Sequence, residues 1–380
     1  MTRSVVFIII SYILKTKHNR NSLKKPSLRT YIVALGLLLA GLLLVTWIQQ
    51  FPELVESYYS RTFYPIFSNV HKWLFGWLPF SFGDIFYGSF GFFILYLVIR
   101  CVATLFKKQG KLAIRQFLQL IIVLLSSYLY FYLSWGLNYY RVPLQKQLAL
   151  DVVEIDSADY FEVLDRYITK ANALRAGLTN TDLLRKEAKD ELEAVMKEDT
   201  SMFPMLSRTQ IRAKQPISSS LASYFSVTGY LNPFTQEVQV NDIAPTVSYP
   251  FTIVHELAHQ MGVGFEDECN FIAFVTLHNH KNLNYQYAAY YETVQYLLRP
   301  LFYQDEQRYK FYVDKLSHAV KQDYAEERKF WKTFSGPLDG FMSVFYAGYL
   351  KHNNQPEGVA RYSLMSRLVI AWEKKQHQTP

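Results

Sequence analysis

Three long uncharged stretches dominate the first third of the chain. Tyr31–Ile48 (YIVALGLLLAGLLLVTWI) carries no charge over about the length a bilayer core requires, with Tyr31 and Trp47 where an interfacial aromatic belt would lie. Ile85–Phe106 is interrupted only by Arg100, near enough to its end for the guanidinium to snorkel toward headgroups. Phe117–Trp135 ends in an aromatic cluster that continues to Tyr139 and Tyr140. The pattern predicts transmembrane helices near 31–48, 85–106 and 117–135. A shorter apolar run, Val5–Leu14, is too short to be favoured as a span. It reads as a signal-peptide core, a membrane-surface helix or an upstream extension, and no small-residue cleavage pattern follows it.

Beyond Arg141 the pattern changes to short amphipathic periods. Arg141–Asp151 reads as a linker, and Ile155–Arg175 and Thr181–Lys197 have helical apolar spacing. Ser223–Leu231 and Glu237–Val240 are β-rich runs joined by Asn232-Pro233-Phe234-Thr235, the signature of a short hairpin. Helical spacing returns over Phe251–Gly262, Glu266–His278 and Tyr285–Leu298 and continues to about Lys375. The expected architecture is a basic cytoplasmic segment (1–30), an α-helical membrane anchor (31–140), and a mainly helical α+β domain with a small hairpin or sheet (141–380).

Charge sharpens this division. The net charge of +8 resolves into 14 basic and three acidic residues before position 141, and 26 basic against 29 acidic from Arg141 onward. The basic excess therefore flanks the apolar spans. Lys and Arg are abundant before the first span, sparse between the first and second (Arg61, Lys72), and abundant again between the second and third (Lys107, Lys108, Lys111, Arg115). By the positive-inside rule this sets inside, outside, inside, and an odd number of spans then puts 141–380 on the outer face of a bacterial inner membrane, in the periplasm. A nucleic-acid partner is not expected, and the lipid bilayer is. With Cys269 the only thiol after the spans, no disulfide can form within that domain.

The chemistry is concentrated in His255-Glu256-Leu257-Ala258-His259. Histidines four apart share one helix face, so both imidazoles can reach one tetrahedral Zn²⁺, and the intervening Glu lies beside the reacting water. Gly262 and Gly264 can end the helix and reverse the chain into Glu266-Asp267-Glu268-Cys269-Asn270. Several zincin families take their third ligand from a Glu in an E-x-x-A-[DN] pattern. Glu266 fits as ligand and Asn270 as the residue supporting a ligand from behind, with Glu268 a feasible competitor; Phe265 stands where a third histidine would otherwise be. Intramembrane proteolysis also uses H-E-x-x-H, but the acidic run after it argues against an apolar span here.

The run HELAHQMGVGFEDECNFIAF, three spans ending in WGLNYYR, the segment YLNPFTQEVQVN and the C-terminal YLKHNNQPEGVARYS resemble a bacterial family of membrane-anchored zinc-peptidase candidates catalogued as a domain of unknown function. The resemblance covers nearly the whole chain from about residue 31, with Cys269 where that family usually has Ala. It implies a zincin-like fold and a membrane-anchored zinc metallopeptidase acting on extracytoplasmic protein or peptide substrates, with Glu256 as general base. Glu237, Val238, Gln239 and Val240 are the expected substrate-aligning edge strand. Tyr349, Arg361 and Tyr362 are oxyanion-donor candidates. The alternative is a non-catalytic envelope scaffold or binding protein retaining the fold. The stripe Tyr285, Tyr287, Tyr290, Tyr291 and Tyr296 is read as packing, and His278 and His280 as exposed helix-end residues.

Overall fold

The computed structural model describes residues 27–152, 156–179, 185–198, 203, 206, 209–357 and 364–378. It is mostly helical, with one small sheet, and divides into two compact units. One is drawn from the chain up to Leu43 and from Phe93–Leu129; the other from Leu44–Phe92 and Tyr130–Pro380.

Among the described residues three helices are long and apolar enough to cross a membrane: α1 (Leu28–Ile48), α3 (Phe82–Phe106) and α4 (Gly110–Ser134). Between the first two run a π-helix (Val55–Phe63) and α2 (Tyr64–Phe75). Within the first unit, Thr104 Oγ1 of α3 donates to Gln116 Oε1 of α4 at 2.8 Å, satisfying two buried polar groups. The second apolar helix begins three residues earlier than its hydropathy predicts because its N-terminus is capped by tertiary contacts. The Glu237 carboxylate accepts from the backbone N–H of Phe82 (3.3 Å) and Gly83 (2.6 Å), and Ser81 Oγ accepts from Asp84 N at 3.1 Å.

The second unit holds the core. Helices α5 (Ser157–Gly177) and α6 (Arg185–Glu198) are followed by β1 (Ala213–Lys214), α7 (Ser219–Tyr224), β2 (Gly229–Asn232) and β3 (Glu237–Val240). Then come α8 (Tyr249–Gln260), α9 (Glu266–Leu277), α10 (Leu283–Gln304), α11 (Glu306–Asp314), α12 (His318–Phe334), α13 (Pro337–His352) and α14 (Met365–Gln378). Leu164, Tyr167 and Ile168 of α5 pack with Phe271 and Phe274 of α9 and with Tyr287 and Tyr291 of α10 in one buried cluster. Each fully buried large apolar side chain of this kind contributes roughly 1.5–3 kcal/mol. The tyrosine stripe is packing as expected, with two hydroxyls satisfied by carboxylates: Tyr287 on Asp323 and Tyr291 on Glu327, both at 2.6 Å.

The sheet has the order β1-β3-β2, with β1 parallel and β2 antiparallel to β3. The hairpin turn falls where Asn232-Pro233 predicts it, but the strand before it is shorter than Ser223–Leu231. Ser218 Oγ accepts from Leu221 N at 3.2 Å and caps α7, so the serine cluster starts a helix and the strand is confined to four residues. The expectation for Glu237–Val240 is also corrected. This is the central strand, paired on both sides and wholly buried, so its main chain has no edge to offer a substrate. Glu237 instead caps the second apolar helix and pairs with buried Lys214 at 2.6 Å.

Candidate metal centre

The H-E-x-x-H motif lies on α8, started by Pro250 in its first turn, where a missing N–H costs nothing. The helix stops at Gln260 because Gly262 takes a left-handed conformation (φ +86°) that glycine adopts without strain. Gly264 is needed for a different reason: a Cβ there would come within 2.9 Å of the Asn138 carbonyl. This tight reversal brings α9 back at once, with Glu266, Asp267 and Glu268 in its first turn, where the helix dipole favours negative charge.

The result is a convergence of three donors. Glu266 Oε2 is 3.1 Å from His255 Nε2 and 3.5 Å from His259 Nε2. Ligands about 2.0–2.1 Å from a tetrahedral zinc are about 3.3 Å apart, so these separations fit a common cation. The other ring nitrogens are engaged: His255 Nδ1 donates to Asn270 Oδ1 at 2.7 Å and His259 Nδ1 to the Val263 carbonyl at 2.8 Å. That arrangement puts the ring protons on Nδ1 and turns both Nε2 lone pairs toward Glu266. Asn270 thus stands where the sequence puts it. Burial opposes the charged form of Glu266, but the pull of His259 and the hydrogen bond of His255 outweigh it and hold the carboxyl well below the usual carboxylate range.

Glu256 is buried beside this set, and its Oε2 has no hydrogen-bond partner among the described residues. Burial pushes its carboxyl above the usual range, against the pull of His255 and His259. Its other neighbour is Gly229, the first residue of β2. A Cβ there would meet Glu256 Oε1 at 2.7 Å, so only glycine lets the strand pass this close.

Glu268 is not part of the convergence: its Oε1 accepts from the Leu144 backbone N–H at 2.6 Å. Cys269 comes nearer. A ligand atom of each of His255, His259 and Cys269 lies within 4.8 Å of the others, and Cys269 Sγ is 3.3 Å from His259 Nδ1. That sulfur is on the Nδ1 side of the ring, beside the Val263 carbonyl, whereas Glu266 meets the Nε2 side. Burial pushes the thiol up to about 12, which keeps it protonated and a poor ligand. The donor set that fits a divalent cation is therefore His255, His259 and Glu266.

Distant segments complete the site. Trp135 Nε1 donates to the His259 carbonyl at 3.1 Å, Tyr64 Oη to that of Gln260 at 2.8 Å, and Arg141 Nη1 to that of Gly262 at 2.9 Å. These bonds satisfy carbonyls that the end of α8 leaves without helical partners. From α13, Tyr346 Oη donates to Glu266 Oε1 at 2.8 Å, and Tyr349, one turn on, is bonded to Tyr139 at 3.1 Å. Tyr346 is the hydroxyl that touches the cluster; a tyrosine 80 residues away carries no local signal of that role. Arg361 and Tyr362 lie outside the described residues. His278 and His280 are half-buried where exposed helix-end residues were expected: His278 lies against Trp372 and His280 pairs loosely with Glu191 at 3.8 Å, and neither contact involves the cluster.

A family model described as "Protein of unknown function (DUF3810)" matches residues 59–370. The chain belongs to the DUF3810 family. The DUF3810 match takes in Tyr64, the second and third apolar helices, the whole of α8 and α9, and Tyr346. It bears out the resemblance to a family catalogued as a domain of unknown function. No curated protein and no solved structure matches the chain.

Proposed function

We propose that this protein is a membrane-anchored zinc-dependent peptidase of zincin-like fold, with its catalytic part outside the cytoplasm, that hydrolyses peptide bonds of extracytoplasmic protein or peptide substrates. The observation that carries the reading is the meeting of His255 Nε2 and His259 Nε2 on one oxygen of Glu266, with Glu256 Oε2, which has no hydrogen-bond partner among the described residues, buried beside them. Zinc held by these three residues would supply a Lewis acid that polarises the scissile carbonyl and makes water a stronger nucleophile near neutral pH. Glu256 takes the proton of the attacking water on its carboxylate and passes it to the leaving amine nitrogen. Asn270 and the Val263 carbonyl hold the two imidazoles in one tautomer, and Tyr346 steadies the outer oxygen of Glu266. In the sheet, β2 pairs among the described residues with β3 alone and starts against Glu256, which supports its outer edge as the place where an extended substrate pairs. The outward orientation is supported by the rich, poor, rich distribution of Lys and Arg around the three spans.

The full chain purified in detergent should contain about one zinc per molecule, as a three-ligand site with one open position requires. Glu256→Gln should retain that zinc and lose about 10²–10⁴-fold in hydrolysis of a fluorogenic peptide library. Failure to bind zinc overturns the reading. Stoichiometric zinc with no turnover by the unaltered protein favours the non-catalytic scaffold instead.

A further inference from the structure

The segment joining the first two apolar helices has two faces of opposite character. Along its inner face, Val55, Glu56, Tyr59, Ser60, Tyr64 and Ser68 are buried. The outer face presents Phe63, Ile66, Val70 and Trp73, all exposed, at spacings of three and four residues that keep them on one stripe, and exposed Trp77 follows in the turn just past the end of α2. Trp73 and Trp77 are 78% and 71% exposed, far beyond what an indole facing water normally shows. No charged residue interrupts the stripe: Arg61 and Lys72 fall off it.

Two observations say what covers it. The chain enters this segment directly from one membrane-length helix, which ends at Ile48, and leaves it into another, which begins at Phe82, so both ends are held at the bilayer. The stripe and the turn after it also close on two tryptophans, the residue type that partitions to the headgroup level. The π-helix and α2 run on from one another, and the acidic and basic residues Glu53, just before them, and Glu56, Arg61 and Lys72, along them, make the run too polar to cross a membrane, which leaves an orientation along the surface. We propose that Val55–Trp77 lies in the plane of the membrane, with the stripe Phe63, Ile66, Val70 and Trp73 and the adjoining Trp77 buried at the boundary between lipid headgroups and acyl chains. This makes the segment a lipid-binding surface in its own right. Because Tyr64 on its inner face holds the Gln260 carbonyl, and Glu56 holds Arg141 on the Gly262 carbonyl, the segment also ties the end of α8 to the membrane surface.

The test uses the unaltered full chain in nanodiscs of phosphatidylethanolamine and phosphatidylglycerol, and does not depend on metal or activity. Hydroxyl-radical oxidation, read residue by residue by mass spectrometry against the denatured chain, is paired with photolabelling by a phospholipid carrying a diazirine high on its acyl chain. Trp73 and Trp77 should be protected like buried Tyr64, while Tyr303, 72% exposed on α10, is oxidised. The diazirine lipid should label the Phe63–Trp77 peptide. Oxidation of both tryptophans to the level of Tyr303 would mean water on this face and overturn the proposal. Protection without lipid labelling would mean a protein partner or a second copy, and would overturn it equally.

Discussion

At the level of single residues, the contest is over the third donor beside His255 and His259. Spacing alone leaves Glu266 and Glu268 open; the structure separates them because residues two apart on a helix point about 160° apart in rotation, not to one face. Glu266 meets both imidazoles, whereas Glu268 holds the Leu144 amide. Glu266→Gln should therefore remove most bound zinc, Cys269→Ala should leave it near full occupancy, and Glu268→Gln should leave it in place while lowering thermal stability. Zinc content of the three purified proteins decides this, and loss of zinc in Cys269→Ala alone would transfer the ligand role to the thiol. The H-E-x-x-H residues and Asn270 were legible in sequence because their geometry is local to one helix and one tight turn. Tyr346, Trp135 and Gly229 were not, since each reaches the cluster from a part of the chain far away in sequence, where nothing in its neighbours marks it.

At the level of elements, hydrophobic periodicity predicts the helices well and the sheet poorly. A four-residue strand such as Glu237–Val240 reads the same whether it is central or at an edge, because strand order is set by pairing and leaves no periodic mark. Likewise, nothing about Glu56 and Arg141 announces that they meet: they form a buried pair at 2.7 Å, with Arg61 on the same carboxylate. Burial raises the Glu56 carboxyl, but Arg141 and Arg61 outweigh it and hold it below the usual range. Its contribution to stability is thus present at and above the ordinary unfolded carboxylate value, and is lost only as pH falls through the lower folded value. Glu56→Ala should cost about 3–5 kcal/mol at neutral pH by leaving Arg141 buried and unpaired. The variant's melting temperature should also fall less steeply on acidification than that of the unaltered protein. Equal melting temperatures at neutral pH would remove the pair from the forces holding the Gly262 turn.

On the scale of the whole molecule, residues between the first and second apolar helices pack against residues after the third: Tyr64 on Gln260 and Glu56 on Arg141. Two crossings by α3 and α4, both long and apolar enough to span a bilayer, would return the chain to the side it left, as these contacts require. On the peptidase reading proposed above, a centre held this way should work best on chains presented at the bilayer. On that reading a peptide carrying a lipid anchor should be cleaved faster than the same peptide free in solution when the protein is in nanodiscs, and the difference should vanish in detergent; equal rates in nanodiscs would remove the surface effect. The amino-acid sequence by itself determined the three long apolar stretches, the division of charge, and the pairing of two histidines with two candidate glutamates on α8 and α9, because hydropathy over a membrane's width and the spacing of residues within a helix are properties of short stretches of chain. Only the tertiary structure decided which glutamate meets the histidines, which strand has a free edge, and which membrane-adjacent side chains hold the end of the motif helix. Those depend on pairings between residues tens to hundreds apart, and no local pattern encodes them.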